Sequence, residues 1–521
     1  MSHVNSSTLG WTVSSILGDA GPQVLHQPDK TAMVWEHGSL TYKELRSRAL
    51  QLANALREMG LQTGDRVASM LFNRGEIFEL YFACAFAGLV FVPVSFRLTS
   101  SEVASILEDS GARAFFVETE TAAVAFEASG SLDGSPRIVT LQATSGGPEY
   151  EALTEGCAPL PSTIAHDIQM IMYTSGTTGK PKGVVMRSLA VMWCAMQQVS
   201  LFRHLDQNTV MLLNAPMYNT AALNESSIPT FLVGGTVAIM PSRGWSAERL
   251  GQFIKKWSVT HSLIFPSMYP NMIDADERDP LPLQSMKWWY TGGENCPPAL
   301  MAEVRRRWPH IDLAIAYGST ESGLPTLIEG DDIERHPGSV GRCSPGQSIR
   351  LLDADGKDVP VGGVGDVWTA GPSVMRNYWN APQLDAETVA DGWLKIGDLA
   401  TIDEDGWISI VGRSKDIIIS KGQNIYPAEI ENVIRQHPSV LDVAVVGLPD
   451  PEFTEIVCAA VVPRSKDAIG SKDEIMAFLL TKLASYKKPR HILFVESFPI
   501  RNATKVDKKE LAKICAELVK V

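Results

Sequence analysis

The chain has 521 residues, a hydrophobic fraction of 45%, a charged fraction of 20% and a formal net charge of −13. Chain-length scaling puts that length beyond a single hydrophobic core and favours at least two domains. The composition excludes a disordered chain, and the acidic balance excludes a protein that coats nucleic acid, because phosphate contacts need a basic surface.

The N-terminus, MSHVNSSTLGWTVSS, lacks the basic start and apolar stretch of a signal peptide, and no later segment has about 18 uninterrupted apolar residues. From Thr41 to Gly60, Leu45, Ala49, Leu52, Ala53 and Leu56 recur at helical spacing behind a Thr41/Glu44 capping box, which predicts an amphipathic helix stopped by Gly60. A strand over Val90 to Val94 precedes a second capped helix, from Thr99/Glu102 to Gly111. Alternation of this kind predicts an α/β fold. From about Ser339 the texture becomes short β-rich runs with the acidic turns Asp353 to Gly356 and Asp403 to Gly406, expected to be hairpins of a sheet subdomain; neither continues into a calcium-binding loop. After Arg413 a strand (Ile417 to Ile419), a helix from Pro427, a strand (Val443 to Val446) and a helix (Lys472 to Ala484) predict a small domain of about a hundred residues. The seven cysteines (Cys84, Cys157, Cys194, Cys296, Cys343, Cys458 and Cys515) are scattered and lack zinc-ligand spacing, as expected for reduced thiols of a cytoplasmic protein with no integral membrane segment.

One segment carries the strongest chemical signal. An apolar strand, Ile168 to Met172, runs into Tyr173-Thr174-Ser175-Gly176-Thr177-Thr178-Gly179-Lys180-Pro181-Lys182-Gly183-Val184. Glycines, hydroxyls and lysines together suit a loop that wraps phosphate oxygens. The spacing is not that of a Walker A loop, since Pro181 stands where a magnesium-binding Ser or Thr would be. By composition alone a plain surface turn is an equal alternative.

As an ordered string, however, this segment resembles the phosphate-binding loop of the adenylate-forming superfamily: acyl-CoA synthetases, carrier-protein adenylation domains and firefly-type luciferases. The resemblance runs from Leu40 to the C-terminus with the motifs in the family's order. It implies a large N-terminal domain (residues 1–412) of β-sheet subdomains flanked by helices, and a small mobile α+β C-terminal domain (residues 413–521) with a hinge near Lys415. It also implies that Thr174, Ser175, Gly176, Thr177, Thr178, Gly179, Lys180 and Lys182 contact ATP phosphates. In Ala316-Tyr317-Gly318-Ser319-Thr320-Glu321, the Tyr317 ring would stack on adenine, Gly318 would also contact ATP, Thr320 would touch the α-phosphate, and Glu321 would ligate Mg2+. Asp398, in Trp393-Leu394-Lys395-Ile396-Gly397-Asp398, and Arg413 would hold the ribose, an acceptor-only carboxylate suiting a diol; Ile396 stands where the family often has Thr.

Ser420-Lys421-Gly422-Gln423-Asn424 resembles the loop that comes to the thiol tunnel after adenylation, which places Lys421 and Gly422 beside coenzyme A. Lys505 resembles the lysine that bridges the substrate carboxylate and the α-phosphate, although Thr504 replaces the usual glycine before it. The basic run Lys487-Lys488-Pro489-Arg490 is either a CoA-phosphate contact or a solvated turn. The acyl pocket implied by the resemblance has Tyr218, Asn219, Thr220, Ser267, Gly292, Gly293, Ala316 and Gly323 in its walls. Asn219 carries no charge to pair with an α-ammonium, which disfavours an amino acid substrate. The small residues Ala221, Ala222, Gly292, Gly293 and Ala316 are read equally as a roomy cavity for an aryl, medium-chain or polycyclic acid, or as close strand packing.

The expected activity is ATP-dependent acyl- or aryl-CoA synthesis with ATP, Mg2+ and coenzyme A. The alternatives are an adenylating enzyme that passes its acyl group to a separate carrier protein or second enzyme, and a silenced ligand-binding homologue. A homodimer is left open.

Overall fold

The computed structural model describes residues 11–19, 21–142, 147–155, 157–174, 181–421, 423–464, 472–480, 482–501 and 505–520, without the side chains of residues 148, 501, 505 and 520. Local signals set the first elements as expected. The helix Tyr42–Glu58 begins on a Thr41 capping box, with Leu45, Ala49, Leu52, Ala53 and Leu56 on its buried face. The helix Ser100–Ser110 starts where the Thr99 amide donates to Glu102 Oε2 at 2.9 Å, and ends on Gly111 in the left-handed region.

Two large sheets dominate the N-terminal part. One has six strands, with Arg66–Met70 and Val90–Pro93 near its centre and Ile168–Thr174 paired antiparallel with Lys182–Arg187 at one edge. The other has fourteen strands. In its middle the parallel strand Trp288–Gly292 is buried at every residue, as a strand covered on both faces must be. A continuous apolar cluster joins the two sheets, from Leu45 and Phe82 through Phe91 and Met170 to Trp288 and Tyr290. This core fixes the edge at which the chemically interesting loops emerge.

The β-rich region after Ser339 departs from expectation in one respect. Its strands are not a separate sheet: Ser339–Cys343 pairs with both Gly323–Glu329 and Ile408–Arg413, and so continues the fourteen-stranded sheet. The two acidic turns do form as read. Asp353 Oδ1 accepts from the amides of Asp355 and Lys357, and Asp403 Oδ1 from those of Asp405 and Trp407.

Beyond Arg413 the chain builds a five-stranded sheet around the long hairpin Val440–Asp450 and Thr454–Pro463, with the helices Pro427–Ile434 and Lys472–Leu480. The helix from Lys472 ends at Leu480, short of the expected run to Ala484; residue 481 lies outside the described residues and residues 482–484 are not helical. Together these parts make a mixed α/β protein with a large N-terminal and a smaller C-terminal domain. Among the described residues no helix is long and apolar enough to cross a membrane, and all the cysteines are free thiols.

Candidate active site

The segment Tyr317–Glu321 lies at the end of the strand Asp312–Ser319 and joins two groups of polar side chains. On one side the Tyr317 hydroxyl donates to Asp398 Oδ2 at 2.8 Å, while Arg413 Nε lies 3.2 Å from Asp398 Oδ1. Asp398 and Arg413 sit opposite each other in the antiparallel pair Trp393–Ile402 and Ile408–Arg413, brought into register by a bulge between Leu399 and Ala400. Asp398 is only 7% exposed, whereas the Arg413 side chain is 47% exposed. Burial, reinforced by the neighbouring Asp398 carboxylate, raises the Tyr317 hydroxyl well above the usual tyrosine range, so it stays a donor.

On the other side Glu321 Oε1 accepts from the Tyr378 hydroxyl at 3.2 Å. The Lys182 ammonium lies 5.6 Å from the centre of the same Tyr378 ring. Lys182 is in register with Thr174 on the antiparallel partner strand, so the strand that follows the glycine-rich segment begins beside the Tyr378/Glu321 pair. Ser175, Gly176, Thr177, Thr178, Gly179 and Lys180 lie outside the described residues, as does Gly422. Gly318 is exposed and Thr320 half-buried between the two groups. Glu321 Oε2 has no hydrogen-bond or ion-pair partner among the described residues. One such carboxylate oxygen, near Lys182, fits Mg2+, which is usually held by one or two carboxylates and phosphate oxygens. A cage of three or more His, Cys, Asp or Glu is absent among the described residues. Tyr378, which ties Lys182 to Glu321, carries no sequence signal that would have singled it out.

The expected acyl-pocket residues cluster on neighbouring elements. Tyr218, Asn219 and Thr220 are all half-buried and lead into a π-helical turn, Ala221–Ser226. The Tyr218 ring packs edge-on against Phe96 at 5.2 Å, and its buried hydroxyl meets no hydrogen-bond partner among the described residues. Thr220 Oγ1 accepts from Asn224 Nδ2 at 3.5 Å. Ser267 is exposed, and both its amide and its hydroxyl donate to the Glu294 carboxylate, at 3.0 and 3.2 Å. Gly292 faces Ala316 in parallel register, and a Cβ on Gly292 would run into the Ala316 carbonyl oxygen. For Gly292, therefore, close strand packing explains the missing side chain; Ala222, on the π-helical turn, is buried in the core. Gly323 is held at φ +69°, a conformation that disfavours any side chain, with Ser373 and Cys194 beside it. Gly293 borders Phe265.

The C-terminal candidates are set apart from these groups. Lys415 follows Arg413 in a 3-10 turn, Ser414–Asp416. The Lys421 ammonium pairs with Glu452 Oε1 at 2.7 Å and sits 3.8 Å from the Phe453 ring centre, on a backbone at φ +46°. No hydrogen bond or ion pair among the described residues joins Lys421 to Tyr317–Glu321 or Asp398. The backbone of Lys505 pairs with Arg501 in a two-stranded ladder; its side chain lies outside the described atoms. The basic run is partly engaged, Lys487 with Glu429 at 2.6 Å and Arg490 3.6 Å from the Phe453 ring centre.

Comparison with known proteins accords with this arrangement. Residues 22–379 match the family described as AMP-binding enzyme, and residues 429–505 match the AMP-binding enzyme C-terminal domain. The chain is 36% identical over 490 residues to a feruloyl-CoA synthase of an Amycolatopsis species, covering 93% of this chain and 96% of that one. It is 33% identical over 501 residues to indoleacetate–CoA ligase of Aromatoleum aromaticum, covering 94% and 96%. Among solved structures, ATP-bound MatB from Rhodopseudomonas palustris superposes with a TM-score of 0.89 at 28% identity, covering 99% of this chain and 100% of that one.

Proposed function

This chain belongs to the AMP-binding enzyme family, and from that premise we propose a division of labour among its residues. The activity is that of an AMP-forming acyl- or aryl-CoA ligase using ATP, Mg2+ and coenzyme A. A carboxylate resists nucleophiles because oxide is a poor leaving group; attack of its oxygen on the α-phosphorus of ATP replaces oxide by AMP and releases pyrophosphate. A thiol then attacks the acyl carbonyl and AMP departs, leaving the thioester.

The observation that carries the assignment is the double linkage of Tyr317–Glu321, to Asp398 and Arg413 on one side and to Tyr378 and Lys182 on the other. In this reading Asp398 and Arg413 orient the ribose and the Tyr317 ring lies against adenine; Gly318 contacts the nucleotide through its backbone, since a Cβ there would run into the Gly323 carbonyl oxygen. Thr174, Lys182 and the residues 175–180 between them hold the phosphates, with Thr320 at the α-phosphate. Magnesium, ligated by Glu321 and phosphate oxygens, would disperse the phosphate charge. Lys505 neutralises charge that grows during attack, a contribution made mainly in the transition state.

The domain boundary falls between residues 412 and 413, with the hinge at Lys415. Rotation there would withdraw Lys505 and bring Lys421 and Gly422 to the thiol. The confinement of Lys421 to contacts with Glu452 and Phe453 supports a resting arrangement in which that second face is turned away. Tyr218, Asn219, Thr220, Ala316 and Gly323 bound the acyl group, with Ser267, Gly292 and Gly293 beside it. The free thiols support a cytoplasmic setting, and a homodimer is compatible with this reading.

The test is mass spectrometry of the purified chain with ATP, Mg2+ and a pool of aliphatic, aromatic and polycyclic acids, with and without coenzyme A. Acyl-CoA that appears only with coenzyme A is expected. Acyl-adenylate that accumulates equally in both tubes would refute coenzyme A as the acceptor and favour a separate carrier-protein thiol.

A further inference from the structure

Glu225 stands on the π-helical turn Ala221–Ser226, immediately after the acyl-pocket residues Tyr218 to Thr220. Burial pushes its carboxyl up to about 7, yet the residue keeps accessible surface. A carboxyl that is desolvated on a half-buried residue is not sealed inside packed core. No hydrogen bond or ion pair among the described residues reaches it, an unusual state for a buried acid, since leaving such a group unmatched is costly.

Its neighbours place it beside the proposed acyl pocket. The groups close enough to feel its charge are Cys194 and Tyr290. Cys194 lies against Gly323, where an added Cβ would come within 3.6 Å of its Sγ. Tyr290 precedes Gly292 on the strand Trp288–Gly292, and its hydroxyl meets Ser226 Oγ. Glu225 therefore lies near Cys194, which borders Gly323, and near Tyr290, two residues before Gly292. The turn that carries it is wide: Ser226 Oγ reaches back five residues to the Ala221 carbonyl at 2.7 Å. Insertions of this kind re-aim side chains and recur at functional sites. The neighbouring amide, Asn224, is by contrast fully used, accepting from the Tyr81 hydroxyl at 2.9 Å and turned toward Met170 Sδ at 3.2 Å.

We propose that Glu225 determines the specificity of the acyl cleft by accepting a hydrogen bond from a hydroxyl or N–H group on the part of the acid remote from its carboxylate. The inference rests on the acyl pocket assigned above. It makes the preferred substrate an acid with a distal donor, and it disfavours the isosteric acid in which that donor is a methyl group or hydrogen, because the latter leaves the Glu225 carboxyl unmatched.

The experiment measures kcat/KM for acyl-CoA formation with matched acids: 3-phenylpropanoic acid and its 4-hydroxy, 4-amino and 4-methyl derivatives, and decanoic against 10-hydroxydecanoic acid. The native chain is compared with Glu225→Gln and Glu225→Leu, and thermal unfolding confirms that each variant folds. The native chain is expected to favour the donor-bearing member of at least one series by about tenfold or more. Glu225→Leu should abolish or reverse that ranking with the KM for ATP unchanged, and Glu225→Gln, still an acceptor, should keep part of it. The 4-hydroxy and 4-amino arms separate a hydroxyl from an N–H donor. Acyl-CoA formed without any such ranking, or a ranking that survives Glu225→Leu, overturns the assignment of Glu225. Ala316→Leu tests the pocket itself: if it leaves kcat/KM for every acid unchanged, the pocket assignment fails independently of Glu225.

Discussion

Asp398→Asn is the most informative single change in the proposed nucleotide site. An ionised carboxylate offers about four lone-pair positions; in Asp398 the Tyr317 hydroxyl uses one at 2.8 Å and Arg413 Nε approaches another at 3.2 Å. The remaining positions are what a ribose diol would take. Asparagine keeps the size but has one acceptor oxygen, and its NH2 must face a donor, either Tyr317 or Arg413. A hydrogen bond to a charged group is worth about 1.5–3 kcal/mol, so loss of one ribose contact should raise the KM for ATP by about ten- to a hundredfold. The cost to the fold is smaller, because the Arg413 side chain is 47% exposed and turns to water.

The assay is pyrophosphate release at saturating acid with ATP, 2′-deoxy-ATP and 3′-deoxy-ATP. The native chain should discriminate against the deoxynucleotides, and Asp398→Asn should lose most of that discrimination, since the hydroxyl and the carboxylate form one interacting pair in a double-mutant cycle. A variant with a native unfolding midpoint that still separates ATP from both deoxynucleotides as the native chain does would refute the ribose assignment.

Three further outcomes are expected. Gly292→Ala, whose Cβ would meet the Ala316 carbonyl, should destabilise by about 1–3 kcal/mol through forced separation of two paired strands; an unfolding midpoint equal to that of the native chain would show that the strands yield freely. Lys505→Ala should slow pyrophosphate release by about a hundredfold or more yet leave thioester formation from a supplied acyl-adenylate near native, and undiminished adenylation would remove Lys505 from the mechanism. His261 is fully buried, lies 3.0 Å from the Arg203 carbonyl through Nε2, and is lowered by burial from 6.5 to about 4. Its depressed value means that the unfolded chain binds the proton first as pH falls. The neutral ring thus contributes stability that is complete above pH 6.5 and is lost by pH 4, at most about 3 kcal/mol. His261→Phe should unfold with a visibly shallower dependence on pH over that window, and parallel curves would contradict the reasoning.

Much of the scaffold was legible because short-range chemistry decides it. The Thr41/Glu44 and Thr99/Glu102 boxes start helices, and Asp353 and Asp403 close turns on their own backbone amides. The continuity of the β-rich region with the long sheet was not legible, because it depends on Ser339–Cys343 pairing with strands far apart in the chain. The proposed site residues of the 317–321 segment, Asp398 and Arg413 were visible only as an ordered set of motifs; taken singly, each is an ordinary tyrosine, carboxylate or arginine. Tyr378 was invisible, since its role comes from lying between Lys182 and Glu321 in space.

Two irregularities explain why spacing alone could not build the site. Had the pairing of Ala400 with Ile410 continued without interruption, Asp398 would face Gly412; the bulge between Leu399 and Ala400 moves it opposite Arg413 instead. A one-residue shift in a strand exchanges its two faces, so the Asp398–Arg413 pair depends on that bulge. The π-helical turn acts alike on Glu225: an extra residue in the turn changes the direction of every side chain after it relative to a regular helix. Each irregularity gives up regular backbone pairing, and each sets a carboxylate at a place the regular element would not reach. It follows that a substitution that restores regular geometry, such as deletion of one residue from Ala221–Ser226, should disturb acid selection more than it disturbs ATP binding, whereas straightening the Leu399/Ala400 bulge should do the reverse.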